Sequence, residues 1–267
     1  MKQAMLNKRK GISGSTIKMI AIVTMLIDHI AAAVFDRVLI SQGLLEANTS
    51  VETAGQFMQE HIALYTLDSI MRMIGRISFP IFCFLLIEGF LHTHNLKKYI
   101  GRMLLFAVAS EIPFDLAFMG KVCDWGYQNV FLTLVIGLLV LTGFQMIREK
   151  EEMHRIVMII LHVLILAAGM GAAFLIKSDY GAYGVLTVAV MYLLRKNRIW
   201  ELLAGCTVLT VMSFVEFSSF IVILPVHFYN GKKGWNMKYF FYFFYPVHLL
   251  ILYLICKYMG IADIAVI

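Results

Sequence analysis

The chain has 267 residues, 60% of them hydrophobic and 15% charged, with a formal net charge of +6 and a mean hydropathy of +0.79. A soluble domain carries roughly 45–50% apolar and about 25% charged residues, so this composition excludes an ordinary soluble protein and reads as a single transmembrane domain over residues 1–267. Nucleic acid is not an expected partner, because the basic residues lie in short clusters between apolar blocks, where membrane topology accounts for them; the expected surroundings are a lipid bilayer.

In chain order, the N-terminus is basic and then apolar like a signal peptide, but the apolar run is long, holds Asp28 and lacks a small-residue cleavage site, so it reads as a retained span. Windows of about 20 apolar residues with charges at their ends place spans near 17–39, 74–93, 99–119, 129–147, 155–176, 180–194, 199–214, 217–229 and 238–257. The expected fold is therefore all-α, a polytopic transmembrane helical bundle of about nine spans. Lys and Arg gather in alternate connections: around residues 2–18, 97–102, 148–155, 195–198 and 232–238. Only Arg37, Arg72, Arg76, Lys121, Lys177 and Lys257 fall on the other side. The positive-inside rule then sets the N-terminus in the cytoplasm and the C-terminus outside. The longest connection, 40–73, is external and acidic, and its second half spaces apolar residues as an interfacial helix does.

Ionisable residues at bilayer depth are expensive and mark function. Asp28 and His29 sit in the middle of the first span. Neighbours on a helix are about 100° apart, so the two cannot form a dyad and each needs a partner from another helix. Arg76 opens the second span and Glu88 closes it; each reads either as a helix-end charge reaching water or as a substrate contact. Glu111 and Asp115 share one face of the third span across Pro113. Like charges that close require one to be protonated, or both to face a cation such as Arg76 or a bound ion, and a helix-locking pair is the competing reading. His248 follows Pro246 in the last span and reads as either a packing histidine or a catalyst. At the cytoplasmic mouth, Asn230-Gly231-Lys232-Lys233-Gly234 suits phosphate held by backbone N–H groups and ammonium charge, although topology alone would also put lysines there. On the outer side, Asp179-Tyr180-Gly181 makes a tight polar turn. The four cysteines have no disulfide or metal-ligand spacing, so no metal is expected.

These segments together resemble the TraX family: Lys18 to His29, Arg76-Ile77-Ser78-Phe79-Pro80 with Glu88-Gly89-Phe90, Ser110-Glu111-Ile112-Pro113-Phe114-Asp115, Asn129-Val130-Phe131-Leu132-Thr133, Asp179-Tyr180-Gly181, Tyr229-Asn230-Gly231-Lys232-Lys233-Gly234 and Tyr245-Pro246-Val247-His248. The resemblance runs in order from about residue 16 to 255. It implies a multi-pass protein of the bacterial cytoplasmic (inner) membrane, in a family whose named member takes part in N-terminal acetylation of conjugative pilin. More distantly, Lys18 followed by His29 is similar to the Arg and His spacing in integral-membrane acyltransferase-3 proteins, with lysine in place of arginine.

The function expected on these grounds is transfer of acetyl, or another acyl group, from acyl-CoA to an amine or hydroxyl acceptor such as a pilin N-terminus or an envelope component. His29 would be the general base, with Asp28, Glu111 or His248 to orient it. Lys18, Asn230, Lys232 and Lys233 would hold the donor. Arg76, Glu88, Asp115, Asp179 and Tyr180 would meet the acceptor. The alternative is a proton- or ion-coupled transporter in which the buried acids and His248 form a relay.

Overall fold

The structure is a computed structural model, and it describes residues 11–150, 152–235 and 238–266; the basic residues at 2, 8, 9 and 10 that enter the topology argument lie outside the described residues. Every regular element among the described residues is helical, and the only extended pairings there are the isolated bridges Ile12–Tyr229 and Gln128–Ser178. A backbone without water must satisfy its hydrogen bonds internally, which favours helices in a chain this apolar.

The helices are α1 (Gly14–Ile30), a π-helical turn (Ala31–Phe35), α2 (Asp36–Ser41), α3 (Leu44–Ala47), α4 (Val51–Glu60), α5 (Ile62–Gly75), α6 (Ser78–His92) and α7 (Leu96–Met119). There follow α8 (Val130–Arg148), α9 (Arg155–Leu175), α10 (Gly181–Leu194), α11 (Arg198–Met212), a 3-10 helix (Phe214–Val222), α12 (Ile223–His227) and α13 (Lys238–Tyr258). Short polar side chains start them: Ser13, Asn95, Asn129 and Asn197 accept first-turn N–H groups of α1, α7, α8 and α11.

Among the described residues, five stretches are long and apolar enough to cross a membrane: Gly14–Ser41, Ile62–His92, Val130–Arg148, Arg155–Leu175 and Tyr239–Tyr258. Gly181–Leu194 and Phe214–His227 are apolar but shorter. Nearly all of the 40–73 connection is helical, its second half included, and α5 runs through a two-residue turn into α6, so that the apolar stretch begins at Ile62.

Helix pairing gives the bundle two ends. α1 packs on α5 and α6, α13 on α7, α8 on α7, α9 and α10, and α11 on α10 and the 3-10 helix. One end gathers residues 11–15, 195–198 and 228–235: Ile12 N–H donates to the Phe228 carbonyl and the Arg198 Nη1 to that of Tyr229. The other end gathers the π turn, the α5–α6 junction, the loops 120–129 and 177–180, and the C-terminal tail. There Arg37, fully buried, donates to the carbonyls of Ala33, Leu116, Ala117 and Ile264. Leu116 and Ala117 belong to the last turn of α7, whose carbonyls have no partner within the helix; Arg37 supplies it.

Candidate functional site

A cavity of about 650 Å³ opens at this second end, away from the lysine-rich loops. Its apolar wall includes Met25, Phe79, Phe82, Phe114, Phe118 and Val130; its polar wall includes Asp28, His29, Arg72, Arg76, Tyr127, Asp179, Tyr180 and Glu216. α1 delivers Asp28 and His29 together, and the helix loosens into its π turn two residues later, a distortion often found at functional sites.

The partner of Asp28 is Arg72, whose Nη1 lies 2.8 Å from Asp28 Oδ2. The approach of α1 and α5 depends on Gly75, since a Cβ there would lie 2.2 Å from the Asp28 Cβ and 2.3 Å from Oδ1. One turn beyond Arg72, Arg76 pairs with Glu216 of the 3-10 helix at 3.1 Å and lies beside the Tyr180 hydroxyl. Tyr180 has a left-handed backbone (φ 61°) and stacks its ring on Phe79 with centroids 3.8 Å apart. Asp179 accepts from the Tyr127 hydroxyl at 2.8 Å. Burial pushes the Asp179 carboxyl above the usual carboxylate range, against the pull of that hydroxyl and of Arg76.

His29 is half-buried on the cavity wall, with Phe118 and Tyr245 edge-on to its ring. Its Nδ1 lies 2.7 Å from Nε2 of His248, which is 4% exposed and behind the wall, and His248 Nδ1 lies 2.8 Å from the Phe244 carbonyl oxygen. A histidine so held, open to a walled cavity beside two guanidinium groups, can exchange a proton with a bound molecule.

Of the residues expected at the site from sequence, Asp28, His29, Arg76, Asp179 and Tyr180 line this cavity and His248 backs it. Glu111 and Asp115 do not face Arg76. Glu111 accepts from Asn129 Nδ2, and Asp115 accepts the Asp124 N–H at 2.9 Å, closing the 120–126 loop. Glu88 sits near the other end beside Tyr229 and Glu201, about 18 Å along the helix from Arg76 at 1.5 Å per residue. Lys18, Asn230, Lys232 and Lys233 do gather, at the opposite end from the cavity. Lys18 Nζ lies 5.4 Å from the Phe241 ring centre. The 230–235 loop, however, turns its backbone to the start of α1. Gly14 and Ser15 N–H donate to the Lys232 and Lys233 carbonyls, Asn230 N–H to Ile12, Lys232 N–H to its own loop's Asn230 Oδ1, and Trp235 N–H to Ser15 Oγ. The Asn230, Lys232 and Trp235 N–H groups are therefore taken within the protein, and the Lys232 and Lys233 side chains are exposed.

Sequence reasoning missed Arg72, Tyr127 and Glu216. The signal for Arg72 was its i, i+4 spacing to Arg76, which puts both on one helix face; for Glu216 it was a lone acid in an apolar run.

The profile of the TraX protein family matches residues 13–256. A probable fimbrial assembly protein, FimC of serogroup H1 from Dichelobacter nodosus, is 33% identical over 211 residues, spanning 68% of this chain and 81% of the relative. No solved structure matches. The family match covers every residue of the cavity except those of the C-terminal tail, and on it the chain belongs to the TraX protein family.

Proposed function

We propose that this protein is an integral-membrane acyltransferase that moves an acetyl group from acetyl-CoA to an amine or hydroxyl acceptor, with His29 as the general base. The observation that carries the reading is His29 itself: a ring within an apolar stretch long enough to cross a membrane, open to a cavity and flanked by the Arg72 and Arg76 ion pairs. His29 would take the proton of the acceptor as it attacks the thioester carbonyl, a step that typically contributes about 10² to 10⁴-fold; the C–S bond would then break and coenzyme A would leave as the thiol, taking up that proton. Arg76, Asp179 and Tyr180 would hold the acceptor at the cavity mouth. The fimbrial assembly role in the relative's name favours a pilin N-terminus as acceptor.

The donor would be held at the other end, where Lys232 and Lys233 are exposed beside the start of α1 and Lys18 lies one turn further in. These residues fit a phosphate-bearing ligand by charge. Lys18 and His29 are about 16 Å apart along α1 at 1.5 Å per residue, so the donor must reach through the bundle. Bound there, acetyl-CoA supplies a thioester-activated acetyl group. The same reading sets nine crossings in one transmembrane domain of the bacterial inner membrane, with the lysine-rich end in the cytoplasm and the cavity facing out.

Binding of acetyl-CoA to the detergent-purified protein, by calorimetry, tests it with Lys232→Ala/Lys233→Ala as control. Saturable binding weakened about tenfold or more in the double variant, the loss of roughly 1.4 kcal/mol of charge interaction, is expected. No binding at millimolar ligand, with ion-driven solute flux into sealed vesicles, would favour the coupled transporter instead.

A further inference from the structure

Hydrogen-bond chemistry fixes where the protons sit on the two facing histidines. A carbonyl oxygen only accepts, so His248 Nδ1, 2.8 Å from the Phe244 oxygen, must carry a hydrogen. One further proton lies between His248 Nε2 and His29 Nδ1, 2.7 Å apart. Placed on His248, it would make that ring a cation, 4% exposed and with no carboxylate in ion-pairing contact among the described residues. A buried charge without a partner is strongly disfavoured. The proton therefore belongs to His29 Nδ1, which donates to His248, and His29 Nε2 keeps its lone pair.

The acids that could have oriented His29 are engaged elsewhere. Asp28 leaves α1 about 100° round from His29 and binds Arg72. Glu111 accepts from Asn129. No other hydrogen bond reaches the His29 ring among the described residues, and Phe118 and Tyr245 close on it edge-on.

We infer that His248 is the positioning residue of the site: through the Phe244 carbonyl it sets both rings as Nδ1–H tautomers and leaves His29 Nε2 as the base. Which molecule gives up the proton rests on the acyl-transfer reading; the tautomers do not. When an acceptor N–H or O–H loses its proton to Nε2, His29 becomes a cation whose Nδ1–H bond to His248 strengthens, so the charge is shared by two rings and no carboxylate. The site is thus a histidine pair anchored on backbone, in which the last span, α13, sets the chemistry of the first.

Nitrogen NMR of the full-length protein labelled at histidine, in micelles without any donor, tests the assignment, with His29→Gln and His248→Phe used to identify the two rings. A free imidazole prefers its proton on Nε2, so an Nδ1–H ring is distinctive; His92 and His162, whose Nδ1 atoms also face backbone carbonyls, share it, and the variants separate the His29 and His248 signals from theirs. We expect both in the wild type, loss of the His29 signature in His248→Phe, and its retention in His248→Gln, whose amide oxygen can accept the same bond. A His29 ring carrying its proton on Nε2 in the wild type, or unchanged in His248→Phe, overturns the inference; should His248→Phe not fold, the wild-type spectrum with the His29 signal identified by its loss in His29→Gln decides. Turnover then separates the two claims. A wild type that shows the signature but transfers no acetyl sinks the acyltransferase reading and leaves the pair standing. In an active wild type, His248→Phe should lower kcat by on the order of tenfold or more with KM little changed, and His248→Gln should recover part of it.

Discussion

A side chain at Gly75 and the carboxylate of Asp28 would compete for the same space, so the Asp28–Arg72 pair is tied to a glycine on α5. Gly75→Ala is expected to cost about 1–3 kcal/mol through overpacking and to displace Asp28, which thermal unfolding in detergent will read as a lowered midpoint. Arg37 is a second dependency. Its guanidinium donates to four carbonyls from the π turn, α7 and the C-terminal tail, and hydrogen bonds from a charged group contribute roughly 1.5–3 kcal/mol each. Arg37→Met should therefore destabilise by about 3 kcal/mol or more, and Arg37→Lys should recover little, because an ammonium lacks the planar fork. Unfolding midpoints within a degree of the wild type for both would refute this role.

Helices explain what was readable in advance. Asp28 and His29 were legible because charge in an apolar run is anomalous whatever surrounds it, and the helical class followed from composition. Their partners were not, because Arg72 and His248 lie 44 and 219 residues away and helix adjacency leaves no trace in the spacing of one chain. Glu111 and Asp115 were legible as a pair, but not their surroundings: the groups that meet them, Asn129 and the Asp124 N–H, are neutral donors and not Arg76. The docking of the glycine–lysine loop left no trace in sequence either: its Lys232 and Lys233 carbonyls accept the Gly14 and Ser15 N–H groups, and its Asn230 and Trp235 N–H groups donate to Ile12 and Ser15. That docking gives an element-scale prediction: Gly234 has φ 73° and a Cβ there would lie 2.1 Å from Ser15 Oγ. Gly234→Ala should thus loosen the first turn of α1, with faster amide exchange at residues 14–17 and His29 unaffected. Unchanged exchange would mean that the loop does not hold the helix.

At the scale of the molecule, acyl transfer to an external acceptor requires a cavity open to the outside and a basic end in the cytoplasm. Of the four free cysteines, Cys83, Cys206 and Cys256 are buried and Cys123, in the loop after α7 at the cavity end, is exposed. A membrane-impermeant thiol reagent should therefore label Cys123 from outside spheroplasts; labelling only after the membrane is opened would invert the proposed orientation. Most direct of all is the rate of acetyl transfer from labelled acetyl-CoA to a pilin peptide with a free N-terminus, in proteoliposomes of wild type and His29→Ala. The account predicts transfer by the wild type and a fall of about 10² to 10⁴-fold in the variant with its unfolding midpoint retained; full activity in a normally folded His29→Ala would contradict it.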